Sequence, residues 1–218
     1  MSQYANGMAR FAHRIGQLKS VPRAGWLHRG VSPERTESVS DHSFRVAVLA
    51  WLVSADEEGL DRERVIKLAL LHDLPEAITG DLTPYDPALL LDRDAGSRRE
   101  TLNARQVPSA ERKAAKKTAE AVAIADLIAG LGPVQRDEIT ELWTELQTRE
   151  TPESQFVKEI DVLETYLQSR EYLAQDAALP MDSFAAEVAE VIKSPSMTAL
   201  RDALTTMSME FPGDRRSR

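Results

Sequence analysis

Cysteine is missing from all 218 residues. That excludes a disulfide framework, thiolate metal sites, iron–sulfur clusters and a cysteine nucleophile. Aromatic residues make up 6% of the chain and glycine numbers 10, a poor supply for the turns and packed faces of a β-sandwich or barrel. Positive charge is in deficit, with 27 Lys and Arg against 35 Asp and Glu, a net charge of −8. This balance argues against polynucleotide or an anionic membrane as partner, but leaves room for a small phosphorylated ligand in a local basic pocket. Long hydrophobic runs are lacking too. The longest, Val46 to Val53, falls far short of the ~20 residues of a membrane span. The N-terminus has no apolar signal-peptide core, so the expectation is a soluble cytoplasmic protein.

What is present is helical periodicity. Tyr4 to Lys19 reads as a first helix, with Met8, Phe11, Ile15 and Leu18 on one face. Pro22, Gly25, Gly30 and Pro33 punctuate residues 20–39, which read as an ordered loop. Ser40 is the expected N-cap of a helix to Ala55, and Asp61 caps a third that closes at His72 and Asp73. Pro75, Gly80, Pro84 and Pro87 break the chain into turns, and the arginine-rich stretch Leu91 to Arg105 has no clear pattern. Ser109 opens a helix to Ala129, Val134 to Arg149 forms another, and Thr151 with Pro152 opens a long one to Gln175. Ser194 and Pro195 start the last helix. The expectation is one all-α domain of eight or nine helices over residues 1–212, with a frayed tail over 213–218.

Two of the four histidines lie on apolar helix faces. Val46, Leu49 and Val53 follow His42 at helical spacing, and Val65, Leu68 and Ala69 precede His72. A lone inward histidine is more often a hydrogen-bonded core residue than a ligand. Asp73 changes that balance. It follows His72 at the end of a helix that is apolar nearly all round. A carboxylate there costs several kcal/mol unless compensated, and it sits at the wrong pole of the helix dipole. A divalent cation answers both objections, and imidazole with carboxylate suits zinc, manganese, iron or cobalt. Glu76, one turn on, and Asp81, after the turn that Gly80 permits, add carboxylates. Asp161 lies at the edge of the stripe Val157, Ile160, Leu163 and Tyr166.

The segments Ser38-Val39-Ser40-Asp41-His42-Ser43, Leu71-His72-Asp73-Leu74-Pro75-Glu76-Ala77, Thr79-Gly80-Asp81-Leu82 and Lys158-Glu159-Ile160-Asp161 together resemble the HD-domain metal-dependent phosphohydrolases. Within these, the chain is most similar to the 5'-deoxynucleotidases, from about Phe11 to Tyr172. The resemblance implies a single HD-domain helical bundle and one divalent metal ion per chain, from among cobalt, manganese, zinc, iron and magnesium. His42, His72, Asp73 and Asp161 match the metal ligands. Glu76 matches the residue that works on the attacking water or leaving oxygen, and Arg23 the arginine that orients the phosphate. Asp81 matches the residue at the sugar 3'-hydroxyl, and Trp26 a tryptophan near the sugar. Leu82, Thr83 and Pro84 match a substrate-contacting segment, with His42 and Asp161 also at the substrate.

The function so implied is removal of the 5'-phosphate from deoxyribonucleoside 5'-monophosphates. Two alternatives stand beside it: an HD-domain phosphohydrolase of other nucleotide specificity, and a non-catalytic nucleotide-binding module on the same fold. A two-metal site would call for further histidines, and none lies between Asp73 and Asp161. Related enzymes are typically dimers, so a homodimer is expected. Phe184, Val188, Val191 and Ile192 offer either an interface or completion of the core.

Overall fold

Helix boundaries follow local capping chemistry in the computed structural model, which describes residues 3–91 and 93–208. The tail expected over 213–218 lies outside the described residues. α1 (Gln3–Ile15) tightens into a 3-10 turn at Gly16, and α2 (Ala24–His28) follows. α3 (Val39–Val53) and α4 (Arg62–Leu71) come next, then the short α5 (Glu76–Thr79) and α6 (Ala88–Leu91). α7 (Ala95–Asn103), α8 (Ala110–Ile128), α9 (Pro133–Thr148), α10 (Pro152–Gln175), α11 (Asp182–Val191) and α12 (Pro195–Thr206) complete the order. Nine of these helices have nine or more residues, in line with the expected eight or nine. Among the described residues no strand forms, and no helix is long and apolar enough to cross a membrane.

Asp61, Ser109 and Thr151 each accept a backbone N–H three residues on, as expected of N-caps. The cap of α3 is Ser38, not Ser40. Asp41 stands three residues after Ser38, so the two form a reciprocal capping box; Ser40 has Ser43 at that position and cannot. The loop expected over 20–39 contains α2. Asp81 Oδ2 accepts the Ala24 N–H at 2.7 Å, a cap supplied from 57 residues away that local spacing cannot reveal. The arginine-rich stretch becomes α7, capped by Asp94. It is tied to α11 by Arg105, which pairs with Glu187 and Glu190.

α10 is the central strut. Its Val157, Ile160, Leu163 and Tyr166 pack with Val46 and Ala50 of α3, Val65, Leu68 and Ala69 of α4, and Leu142 of α9. Each such fully buried aliphatic side chain contributes ~1.5–3 kcal/mol. Phe184, Val188, Val191 and Ile192 join this core, so completing it is what they do. A second cluster joins Ile124, Leu127 and Ile128 of α8 to Leu18, Val39 and Trp143. There α1 crosses the end of α8 so closely that a Cβ on Gly7 would lie 1.6 Å from the Gly130 carbonyl oxygen. This framework holds α3 and α4 against α10, and α5 against α8.

Candidate metal centre

His42, on the first turn of α3, is 0% exposed. Its Nδ1 makes a short hydrogen bond to Glu164 Oε2, where an N–H facing a carboxylate donates. In the neutral ring its Nε2 then carries the lone pair. Around that Nε2 lie Asp161 Oδ1 at 3.2 Å, His72 Nε2 at 3.3 Å and Asp73 Oδ2 at 3.6 Å. His72 caps the C-terminus of α4 and donates Nδ1–H to the Ala69 carbonyl at 2.7 Å, so its Nε2 also faces inward, 3.3 Å from Asp73 Oδ2. Two imidazole lone pairs and two carboxylate oxygens therefore converge, an arrangement that demands positive charge among them. Donors bound to one ion at ~2.0–2.2 Å sit roughly 3–3.5 Å apart on adjacent corners. The separations fit a divalent site of nitrogen and oxygen ligands. His42, His72 and Asp161 form a group able to hold a metal ion, and Asp73 adjoins them.

Without a cation in the site, a proton on His42 answers the same demand for positive charge. Burial and Arg23 work against a charge on His42, but Glu164 and Asp161 push its pKa up to about 10. Burial disfavours the Asp73 carboxylate, yet His72, Arg23 and His42 hold it well below the usual range. Asp161 is held low against its burial by Lys158, His42 and His72, with Lys158 Nζ donating to its Oδ2 at 2.8 Å. Arg23 Nη1 donates to Asp73 Oδ2 at 3.2 Å. This amends the sequence argument, because a metal is not the sole compensation for Asp73. Burial also opposes the guanidinium's charge, and Asp81, Asp73, Glu76 and Asp161 together keep it firmly protonated.

A cavity of about 830 Å³ opens over this cluster. Arg23, Trp26, His72, Asp73, Glu76, Asp161 and the run Asp81, Leu82, Thr83 and Pro84 all line it; His42 lies beneath. Glu76 opens α5 and is 3% exposed. Its Oε2 has no hydrogen-bond partner, and burial with Asp73 and Asp81 pushes its carboxyl pKa well up. Gly80 adopts φ 69°, a left-handed conformation natural to glycine, and so returns the chain to the cavity at Asp81 as expected. The Thr83 hydroxyl donates to the Tyr85 carbonyl. Trp26 is mostly a core residue, 2% exposed. Its indole packs on Tyr172 and Phe184 and donates to Glu37 Oε1 at 2.8 Å.

The sequence reading missed Glu164, Arg45 and Lys116. Glu164 follows Asp161, and Arg45 follows His42, each by three residues. That matched spacing on α10 and α3 is the signal available, and Arg45 Nε donates to Glu164 Oε1 at 2.7 Å. Lys116 Nζ stands on the cavity wall, 3.9 Å from Glu76 Oε1 and 3.4 Å from Glu120 Oε1.

Comparison with known proteins adds four findings. A family model described as HD domain matches residues 15–197. The 5'-deoxynucleotidase HDDC2 of Mus musculus is 39% identical over 166 residues, 76% of this chain and 70% of that protein. The 5'-deoxynucleotidase HDDC2 of Homo sapiens is 36% identical over 168 residues, 77% of this chain and 69% of that protein. Among solved structures, a conserved hypothetical protein from Pyrococcus furiosus superimposes with a TM-score of 0.66 at 28% identity, covering 90% of this chain and 98% of that one.

Proposed function

The chain belongs to the HD domain family, and on that premise we propose that it hydrolyses deoxyribonucleoside 5'-monophosphates to the nucleoside and phosphate. The carrying observation is the convergence of His42, His72, Asp73 and Asp161 under a cavity that Arg23 and Glu76 also line. The reading assigns one divalent ion per chain to those four ligands, chosen from cobalt, manganese, zinc, iron and magnesium. When bound, such an ion supplies Lewis acidity and lowers the pKa of a coordinated water.

The chain's own groups do the rest. Arg23 binds the non-bridging phosphoryl oxygens through its planar guanidinium. Glu76, buried with a free Oε2, exchanges a proton with the attacking water or the departing 5'-oxygen. Asp81 accepts a hydrogen bond from the sugar 3'-hydroxyl and crowds a 2'-hydroxyl. Leu82, Thr83 and Pro84 back the sugar, and the edge of Trp26 packs near it. Acceleration then comes mostly from positioning and fixed charge. The reading places the enzyme in the cytoplasm as one domain over residues 1–212, with the exposed Phe44, Trp51 and Leu52 of α3 supporting a homodimer.

The test is phosphate release from dAMP, dGMP, TMP and dCMP against AMP and GMP, with cobalt or manganese present. Loss of one charged hydrogen bond is worth ~1.5–3 kcal/mol, roughly ten- to a hundred-fold in rate, so Asp81→Ala should lose deoxynucleotide activity by that order. Equal or faster hydrolysis of the ribonucleotides overturns the deoxy assignment. Asp73→Ala should abolish metal uptake, and a variant with wild-type metal content overturns the ligand set.

A further inference from the structure

His42 is gripped at both ring nitrogens by carboxylates one turn apart on α10. Asp161 Oδ1 lies 3.2 Å from Nε2, and Glu164 Oε2 bonds Nδ1. Glu164 is 0% exposed and does not line the cavity over the cluster, so it has no route to substrate there. Its second oxygen accepts from Arg45 Nε at 2.7 Å. Arg45 is held in turn by both Glu171 oxygens at 2.9 and 3.0 Å and by Gln168 Oε1 at 2.7 Å. The other histidine is treated differently, since His72 Nδ1 meets only the neutral Ala69 carbonyl. One imidazole thus has a charged outer partner that is itself clamped through a guanidinium, and the other has a backbone dipole.

We propose that Glu164 is a positioning residue that fixes the tautomer and orientation of His42 and thereby sets the affinity of the site for a divalent cation, with Arg45 holding Glu164 in place. The proposal rests on the reading of His42 as a metal ligand. A carboxylate on Nδ1–H keeps the Nε2 lone pair directed at the ion and makes the imidazole a stronger donor, and losing such a partner typically weakens metal binding 10–100-fold. A carboxylate that only supported the fold would leave the cation affinity untouched.

The experiment measures the dissociation constant of Co²⁺ alone by chelator competition, with the visible cobalt spectrum as a second readout, for wild type, Glu164→Gln and Arg45→Gln. Glu164→Gln keeps the shape and an acceptor but removes the charge. It should bind about 10–100-fold more weakly with an altered cobalt spectrum, and saturating cobalt should restore most of its turnover. Arg45→Gln frees Glu164 and should bind several-fold more weakly. If Glu164→Gln binds within threefold of wild type with the same spectrum, the proposal fails. Should that variant not fold, wild-type affinity and spectrum in Arg45→Gln sink it equally. A wild type that takes up no cobalt overturns the reading of the site, and the proposal with it; a wild type that binds beside an indifferent Glu164→Gln overturns the proposal alone.

Discussion

Glu37 accepts the Trp26 indole N–H and sits on the side of His42 that Glu164 also occupies. Burial and the Glu164 carboxylate raise its pKa from the ordinary 4.5 to about 7, against the pull of His42 and Arg23. Between those two pH values the folded protein keeps a proton that the unfolded chain has released. Stability from this group therefore falls as pH rises through that window, the reverse of a salt-bridged carboxylate. Glu37→Gln retains an acceptor for Trp26 and removes the titration. On chelator-treated protein, urea midpoints of variant and wild type should converge below pH 4.5. The variant should be the more stable above pH 7, by at most on the order of 3 kcal/mol. An offset independent of pH would contradict this. The same crowding explains what was legible one residue at a time. His42, His72 and Asp73 stand out because polar groups interrupt apolar helix faces. Glu37 and Glu164 do not, because a carboxylate on a helix or loop looks solvated until the helix it packs against is known.

At the scale of elements, α1 is held by a backbone contact that leaves no room for a side chain. Gly7→Ala would bring a Cβ to 1.6 Å from the Gly130 carbonyl oxygen, and backbone cannot yield as a flexible side chain can. The expected loss is ~1–3 kcal/mol or more from overpacking, despite the better helix propensity of alanine. Gly16→Ala is the control, because nothing lies within 4 Å of its Cβ position; it should be neutral or gain a few tenths of a kcal/mol. Matching denaturation midpoints for the two variants would refute the contact. The long helices were readable because apolar period and caps are local properties. Helix α2 was not, because its first N–H is satisfied by Asp81, 57 residues away in the chain. Nor was the exchange of Ser40 for Ser38 as cap, which turns on a reciprocal bond to Asp41.

Across the whole molecule, the all-helical class was legible from periodicity, and the grouping of His42, His72, Asp73 and Asp161 only with the family resemblance added, whereas the cavity's composition was not legible at all. The far wall of α8, with Lys116 beside Glu76, depends on how α8 packs on α5, which no local pattern encodes. The four proposed ligands come from three helices that share the main core: His42 from α3, His72 and Asp73 from the end of α4, and Asp161 from α10. A cation bound to all four would cross-link that core at the face where it is most acidic. Binding confined to the folded state stabilises by RT ln(1 + [L]/Kd), about 2.7 kcal/mol at a hundredfold excess over Kd. Chelation should therefore lower the unfolding midpoint, and cobalt or manganese should restore it in a concentration-dependent way. The loss should be local first. Hydrogen exchange should quicken in the start of α3 and the end of α4, because the tie that the ion would make between them and α10 is lost there. The α8–α9 amides near Ile124, Leu127 and Trp143, which pack in the separate second cluster, should keep their protection. Asp161→Ala should show a low midpoint that neither metal nor chelator moves. If that variant still gains stability on adding cobalt, the ion is held elsewhere and the cross-link through α10 is wrong.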